Sequence, residues 1–215
     1  MEIATLVVVL LISVTVHEFA HAWVALREGD PTAQQLGRVT LNPIPHLDLL
    51  GSILLPGLLI FSGSGFLIGW AKPVPVDPNN LRDGRWSDLR VSIAGIVSNL
   101  MLAAFCTLLV VATVFATRAF PAAAGALDVV EGMAVAGITI NFLLAVFNLL
   151  PVPPLDGWHV LKDLLPARLT ARLRGVEAAG FLIFIALFVT GVLGTLLWPA
   201  FQLERLSWAL IRWWT

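Results

Sequence analysis

His17, Glu18 and His21 stand as H-E-x-x-H inside an otherwise apolar run from Ile3 to Leu26. Positions four apart share one face of an α-helix, so this spacing stacks two imidazoles one turn apart, where both can offer a nitrogen to one divalent cation. Glu18 falls beside them, placed to take a proton from water without itself acting as a ligand. The pattern alone is moderately specific, because the same residues also meet by chance on surface helices. Its setting adds weight: a carboxylate and two imidazoles in a helix of hydrocarbon length are costly unless they pair with something.

A hydrolytic zinc site takes three protein ligands and leaves a position for water. Asp156 is the best third ligand, at the end of Asn148-Leu149-Leu150-Pro151-Val152-Pro153-Pro154-Leu155-Asp156-Gly157. The three prolines forbid regular helix and favour an extended approach, and Gly157 permits a sharp exit. The ordinary reading of Asp156 is a turn residue or the N-cap of a short helix over Trp158 to Leu165. Asp30, Asp48, Asp77, Asp88 and Asp163 are competing carboxylates without that membrane-edge proline turn, and His46 and His159 are alternative imidazole ligands whose ordinary reading is an interfacial histidine without metal.

The elements that must position these groups are membrane spans. Of 215 residues, 58% are apolar and only 13% charged, which is not the composition of an ordinary soluble domain. Thirteen Lys and Arg against 14 Asp and Glu leave no broad basic surface, so nucleic acid is not an expected partner. Cys106 is alone, which excludes an intrachain disulfide and a cysteine-only metal cluster. The run Ile3 to Leu26 lacks the basic start and cleavage pattern of a signal peptide and is expected to be retained. Val91 to Thr117, Gly132 to Leu155 and Ala178 to Leu203 are further uncharged runs, with Pro151 and Pro199 expected to end their helices early. Leu49 to Ala71 is long enough to cross but holds Gly51, Pro56, Gly57, Gly63, Gly65 and Gly69, which also suits a segment that turns back within protein. The expected fold is an all-α polytopic membrane protein with about four full transmembrane helices. To these are added the glycine- and proline-rich re-entrant or fifth segment, a short strand or hairpin near Val39 to Leu41, and a C-terminal interfacial helix.

Charge placement bears on the doubtful segment. If it turns back, Arg27, Arg38, Lys72, Arg82, Arg85, Arg90, Lys162, Arg168, Arg172 and Arg174 share one side, against Arg118, Arg205 and Arg212. That split of ten to three, rather than eight to five for a full crossing, favours the turn-back and a cytoplasmic placement of the H-E-x-x-H end. It also brings the Asp156 turn to the same side as the end of the first span. Residues 1–200 are expected to form one membrane-embedded core. Residues 201–215 alternate Leu203, Leu206, Leu210 and Ile211 with Glu204, Arg205 and Arg212 beside three tryptophans, as an interfacial tail does.

Together these residues resemble the site-2 protease family of intramembrane zinc metalloproteases. His17-Glu18-Phe19-Ala20-His21 looks like its helical zinc motif, and Asn148 through Gly157 like its asparagine-proline-to-aspartate-glycine motif. Gly37-Arg38-Val39-Thr40-Leu41-Asn42-Pro43 and Gly69 through Val76 resemble loops of compact bacterial members, so that the likeness runs from about Thr5 to Trp158. Ala94-Gly95-Ile96-Val97-Ser98-Asn99 departs from it, with Ile96 where many relatives carry proline. The resemblance implies cleavage of membrane-embedded segments of protein substrates, with zinc on His17, His21 and Asp156 and Glu18 activating water. It also draws Asn99 and Asn148 in as residues that orient substrate or stabilise developing charge; for both, helix packing or capping is the ordinary alternative. The ligand set and the resemblance favour zinc over iron or cobalt. Such a chain sits in the lipid bilayer, in a bacterial cytoplasmic membrane, and leaves substrate selection to its own loops or to a separate regulatory membrane protein. The competing function is a non-enzymatic metal-binding transport or sensing protein, and behind it a structural scaffold; both leave Glu18 without a task.

Overall fold

The computed structural model describes residues 3–54, 58, 61 and 70–215, and the regular secondary structure of those parts is helical. The first span is α1, Ile3–Arg27, one residue longer than the apolar run. The second is α2, Arg85–Ala119, and the third α3, Ala124–Leu149, which stops one residue before the Leu150-Pro151 junction because proline disfavours the helical region for the residue before it. Among the described residues these three helices are long and apolar enough to cross a membrane.

The fourth expected span is not one helix. The run from Ala178 breaks after α5, Arg174–Val189, and resumes through a helical turn at Val192–Leu196 into α6, Trp198–Trp214. The halves are bent by 89°, and together they are long and apolar enough to make a fourth, broken span. The break falls at Gly191, whose φ of 74° belongs to the left-handed region, and not at Pro199, which sits in the first turn of α6 where it costs no hydrogen bond. The tail from 201 onward is part of α6, which buries Ala200 and Ile211 against Ala103, Cys106 and Val110 of α2 and Ala134, Ile138 and Phe142 of α3. Thr139 Oγ1 also donates to Glu204 Oε1 across the α3–α6 contact, at 2.9 Å.

Burial follows the logic of a bilayer. Ile3, Leu6, Val8 and Ile12 on α1 and Met101, Phe105 and Leu108 on α2 are exposed, whereas Ser13, Thr15, Asn99, Thr107, Thr113 and Asn141 are enclosed. Lipid is as apolar as leucine, so helices associate through small residues and interhelical hydrogen bonds. Ala22, Ala25, Ala103, Ala134, Ala136 and Ala145 supply the close approaches. Ser13, Thr15 and Thr107 satisfy their hydroxyls on carbonyls four residues back in their own helices.

The C-terminal end of α1 is tied to the N-terminal end of α2. Glu28 accepts from Ser87 Oγ at 2.6 Å and from Arg90 at 2.8 and 2.9 Å, and the hydroxyl and guanidinium hold its carboxyl below the ordinary range. Asp30, fully buried, accepts from Thr32, Asn80 and the Asp77 backbone N–H. The 28–84 connection therefore leaves and returns at one end of the bundle; Arg118 and Thr215 meet elsewhere, across the α2 and α6 C-termini. Most of the glycine-rich stretch 49–71 lies outside the described residues. Its flanks meet: Trp70 N–H donates to the Gly51 carbonyl and Ser52 Oγ to the Trp70 carbonyl. The strand expected at Val39 to Leu41 is not found among the described residues. These residues form bends, and their polar groups are used locally, with His46 Nε2 on the Thr40 carbonyl at 2.9 Å and Asn42 N–H on Thr40 Oγ1.

Candidate metal centre

Two turns before its C-terminus, α1 turns His17 and His21 inward against α2. Gly95 makes that approach possible: a Cβ there would lie 2.5 Å from His17 Cε1 and nearer still to His21 Nε2. Each ring is held through its Nδ1. His21 Nδ1 lies 2.7 Å from the Val91 carbonyl and His17 Nδ1 2.6 Å from Asn99 Oδ1, both acceptors on α2. Each Nδ1 therefore carries the hydrogen, and the Nε2 lone pairs face each other at 3.0 Å.

The third group arrives from the other end of the chain. After α3 the prolines carry the backbone through a tight extended turn, and Asp156 opens α4, Asp156–Leu164. Gly157 is required there, since a Cβ would run into the Leu149 and Leu150 carbonyls. Asp156 Oδ2 lies 3.2 Å from His17 Nε2 and 3.3 Å from His21 Nε2, buried and with no hydrogen-bond partner. Among the described residues this is the one group of three or more such side chains close enough to hold a metal ion.

The donor set fits zinc. Tetrahedral ligands at about 2.0–2.1 Å from a metal stand roughly 3.3 Å from one another, and the three separations are 3.0, 3.2 and 3.3 Å. Two facing lone pairs and a buried carboxylate oxygen without a donor also repel one another unless a cation lies between them.

Glu18 is partly buried on the adjacent face and is anchored from outside the helix: Val74 N–H donates to its Oε2 at 3.0 Å. The strap carrying Val74 is fixed in turn by buried Arg38, whose Nη2 donates to the Lys72 and Pro73 carbonyls at 2.8 and 3.0 Å. Asn99 is completely enclosed between His17 and Asn141 and faces no open groove. Asn148, half-buried, turns its amide N–H onto Leu144 of its own helix at 3.0 Å.

The competing carboxylates and imidazoles stand apart. Asp30, Asp48 and Asp77 bond neighbouring backbone N–H groups, and His46 the Thr40 carbonyl. Asp88, His159 and Asp163 lie at the α2–α4 contact. Burial pushes the His159 imidazole down, with Lys162 adding to it. Burial and then Asp88 raise the Asp163 carboxyl to about 6. Gly95 as the floor of the histidine pair, the Val74 anchor on Glu18 and the Asn141 contact with Asn99 emerge only in the folded chain. Asn141 was visible as an amide in an apolar span, but nothing in a single sequence tells which helix it faces.

Known proteins give a concordant answer. "Putative zinc metalloprotease YwhC" of Bacillus subtilis (strain 168) is 42% identical over 201 residues, covering 93% of this chain and 87% of the relative. "Putative zinc metalloprotease Rip2" of Mycolicibacterium smegmatis (strain ATCC 700084 / mc(2)155) is 34% identical over 183 residues, covering 85% and 66%. Its namesake from Mycobacterium tuberculosis (strain ATCC 25618 / H37Rv) is 31% identical over 187 residues, again 85% and 66%. No solved structure gives a significant match. Peptidase family M50 matches residues 5–191, and by that near-complete match the chain belongs to this family, the site-2 proteases.

Proposed function

We propose that His17, His21 and Asp156 hold the zinc of this intramembrane metalloendopeptidase and that Glu18 is its general base. The protein is a zinc-dependent protease of the membrane, acting on membrane protein substrates in the bilayer. The observation that carries the site assignment is the convergence, on one buried point, of two α1 imidazoles and a carboxylate from the start of α4, with no donor for Asp156 Oδ2.

When bound there, zinc supplies Lewis acidity that polarises a carbonyl and favours ionisation of water. The chain's own residues do the rest. Val74 N–H holds Glu18 Oε2, which leaves Oε1 to take a proton from the attacking water. The water oxygen bonds to the scissile carbonyl carbon, the C–N bond breaks, and the proton on Glu18 passes to the departing amine. Asn148, whose Oδ1 has no partner among the described residues, can accept a peptide N–H from an unwound substrate beside the proline turn. An apolar cavity of about 190 Å³ along α1, between Leu11, Val14 and Thr15 and the facing His46, Ser52 and Trp70, offers room for a substrate side chain.

The protein is integral to a membrane. The positive-inside tendency supports placing the H-E-x-x-H end toward the cytoplasm, the bacterial relatives support a bacterial cytoplasmic membrane, and the return of the 28–84 connection to one end of the bundle supports a turn-back rather than a crossing. A non-enzymatic metal carrier gains no support from the site, because it gives no role to an anchored carboxylate beside the ligands.

The test is purification in detergent, metal analysis, and cleavage of a model transmembrane substrate. Glu18→Gln keeps its zinc and loses hydrolysis; full activity in that variant excludes Glu18 as the base. Asp156→Ala loses zinc affinity, and unchanged binding moves the third ligand elsewhere.

A further inference from the structure

The two histidines are oriented by different kinds of acceptor. His21 Nδ1 faces the Val91 backbone carbonyl, which can only accept, so its Nε2 is bare without further help. His17 Nδ1 faces the Asn99 side-chain amide, which has an oxygen at one end and an NH2 at the other. Rotated by half a turn, that amide would present a donor, drive the imidazole hydrogen onto Nε2, and remove one lone pair from the metal position. Some other group must hold Asn99 in the one useful sense.

We propose that Asn141 on α3 is that group, a positioning residue for His17; the proposal rests on the metal-site reading above. The assignment runs from a backbone atom inward. One end of the Asn141 amide lies 2.9 Å from the Gly137 carbonyl, so that end is the NH2. The same nitrogen donates to Ser13 Oγ at 2.9 Å, and Ser13 is free to accept because its own hydrogen goes to the Val9 carbonyl at 2.8 Å. The other end of Asn141 is therefore Oδ1, which accepts from Asn99 Nδ2 at 2.9 Å, much closer than the Ser13 backbone carbonyl that the same nitrogen faces at 3.5 Å. Asn99 Oδ1 is left pointing at His17 Nδ1. A carbonyl on the third span thus decides which imidazole nitrogen of the first span is free to bind. Asn99 and Asn141 are 0% exposed and Ser13 1%, which leaves bulk water no access to take over the task. Partners of this kind fix the tautomer and ring orientation of a metal-binding histidine, and their loss typically costs about 10–100-fold in metal affinity.

The experiment measures zinc affinity of the full chain in detergent by competition with a chelator, with thermal unfolding recorded in parallel. Asn141→Leu removes the oxygen that holds Asn99 and weakens zinc binding by about 10–100-fold. Asn141→Asp, neutral in this enclosed position, keeps the size, donates its hydroxyl hydrogen to the Gly137 carbonyl in place of the amide and keeps an acceptor oxygen toward Asn99, and holds affinity within about threefold of wild type. If the leucine variant does not fold, Asn141→Ala removes the same oxygen without overpacking. Affinity then follows the presence of the acceptor, whereas a packing role would make it follow unfolding temperature. Unchanged affinity in the leucine or alanine variant overturns the proposal, as does an aspartate variant that loses as much as they do. A wild-type chain that binds no stoichiometric zinc overturns the metal site itself, which separates the two failures.

Discussion

Gly95→Ala adds one methyl group at the closest approach of α2 to the histidine pair. Its Cβ would lie 2.5 Å from His17 Cε1 and 2.7 Å from His17 Nδ1, where ordinary contact begins at 3.4 Å, so the His17 ring must withdraw by about 0.9 Å. Neither ring can yield freely. His17 is bonded to Asn99 and His21 to the Val91 carbonyl, both on the helix that would be pushing. Metal–ligand distances tolerate about ±0.2 Å, several times less than the required retreat. Overpacking costs about 1–3 kcal/mol, and the better helix propensity of alanine returns about 1 kcal/mol of that. The variant should therefore fold, less stable by roughly 0–2 kcal/mol, while its zinc affinity drops by about 100-fold or more and hydrolysis falls with it. Chelator competition and metal content in detergent measure the first effect, and thermal unfolding the second. Gly125→Ala and Gly132→Ala make the same chemical change where a Cβ meets nothing within 4 Å, and should bind zinc as wild type does. A Gly95→Ala protein that holds zinc within about threefold of wild type would refute the seating of both histidines against α2.

Three further outcomes follow from other parts of the fold. Asp163 has its folded pKa raised from 3.8 to about 6, chiefly by burial and then by Asp88, with Lys162 and Arg85 opposing. The stability tied to it is complete below the unfolded value and is lost as pH rises through 6. Asp163→Asn should then exceed wild type by roughly 1–3 kcal/mol at pH 8, with the gap closing below about pH 4. A pH-independent difference in unfolding temperature would contradict this. Gly137→Ala places a Cβ 2.5 Å from Cys106 Sγ and should destabilise by about 1–3 kcal/mol, with Cys106→Ala in the same chain relieving part of it; strictly additive unfolding energies would dismiss the contact. Arg38→Met removes both donations to the strap that carries Val74, and should slow peptide hydrolysis about tenfold or more with zinc content unchanged. Wild-type turnover in that variant would separate Arg38 from the placement of Glu18.

The spans and the three metal-directed side chains were readable because their signals are local or additive. Four residues of helix place His17 over His21, and a run of uncharged residues marks a span whatever it packs against. Asp156 was reachable because the prolines before it end α3 and leave a carboxylate at the start of the next helix. The break of the last span was misplaced for a physical reason. Pro199 looks like a terminator, but at the start of α6 it is compatible with helix, and Gly191, unremarkable in composition, takes the left-handed turn. The strand expected at Val39 to Leu41 rested on β-branched residues, and was overruled by side chains that take up the backbone groups a strand would need. The Asn141–Asn99–His17 series joins residues 42 and 82 positions apart. No periodicity reports on pairings of that range.

The partners that orient the two imidazoles are an amide and a peptide carbonyl, neither of which can ionise. The formal charges at the centre are then two carboxylates, Asp156 and Glu18, and a divalent cation matches them one for one. A carboxylate in place of Asn99 would bond His17 as well but would leave an unbalanced anion in a medium of low dielectric, where uncompensated charge is most expensive. Electroneutrality of the loaded site thus follows from the choice of uncharged supports, and gives a reason for a buried amide relay in a protein that works within the bilayer.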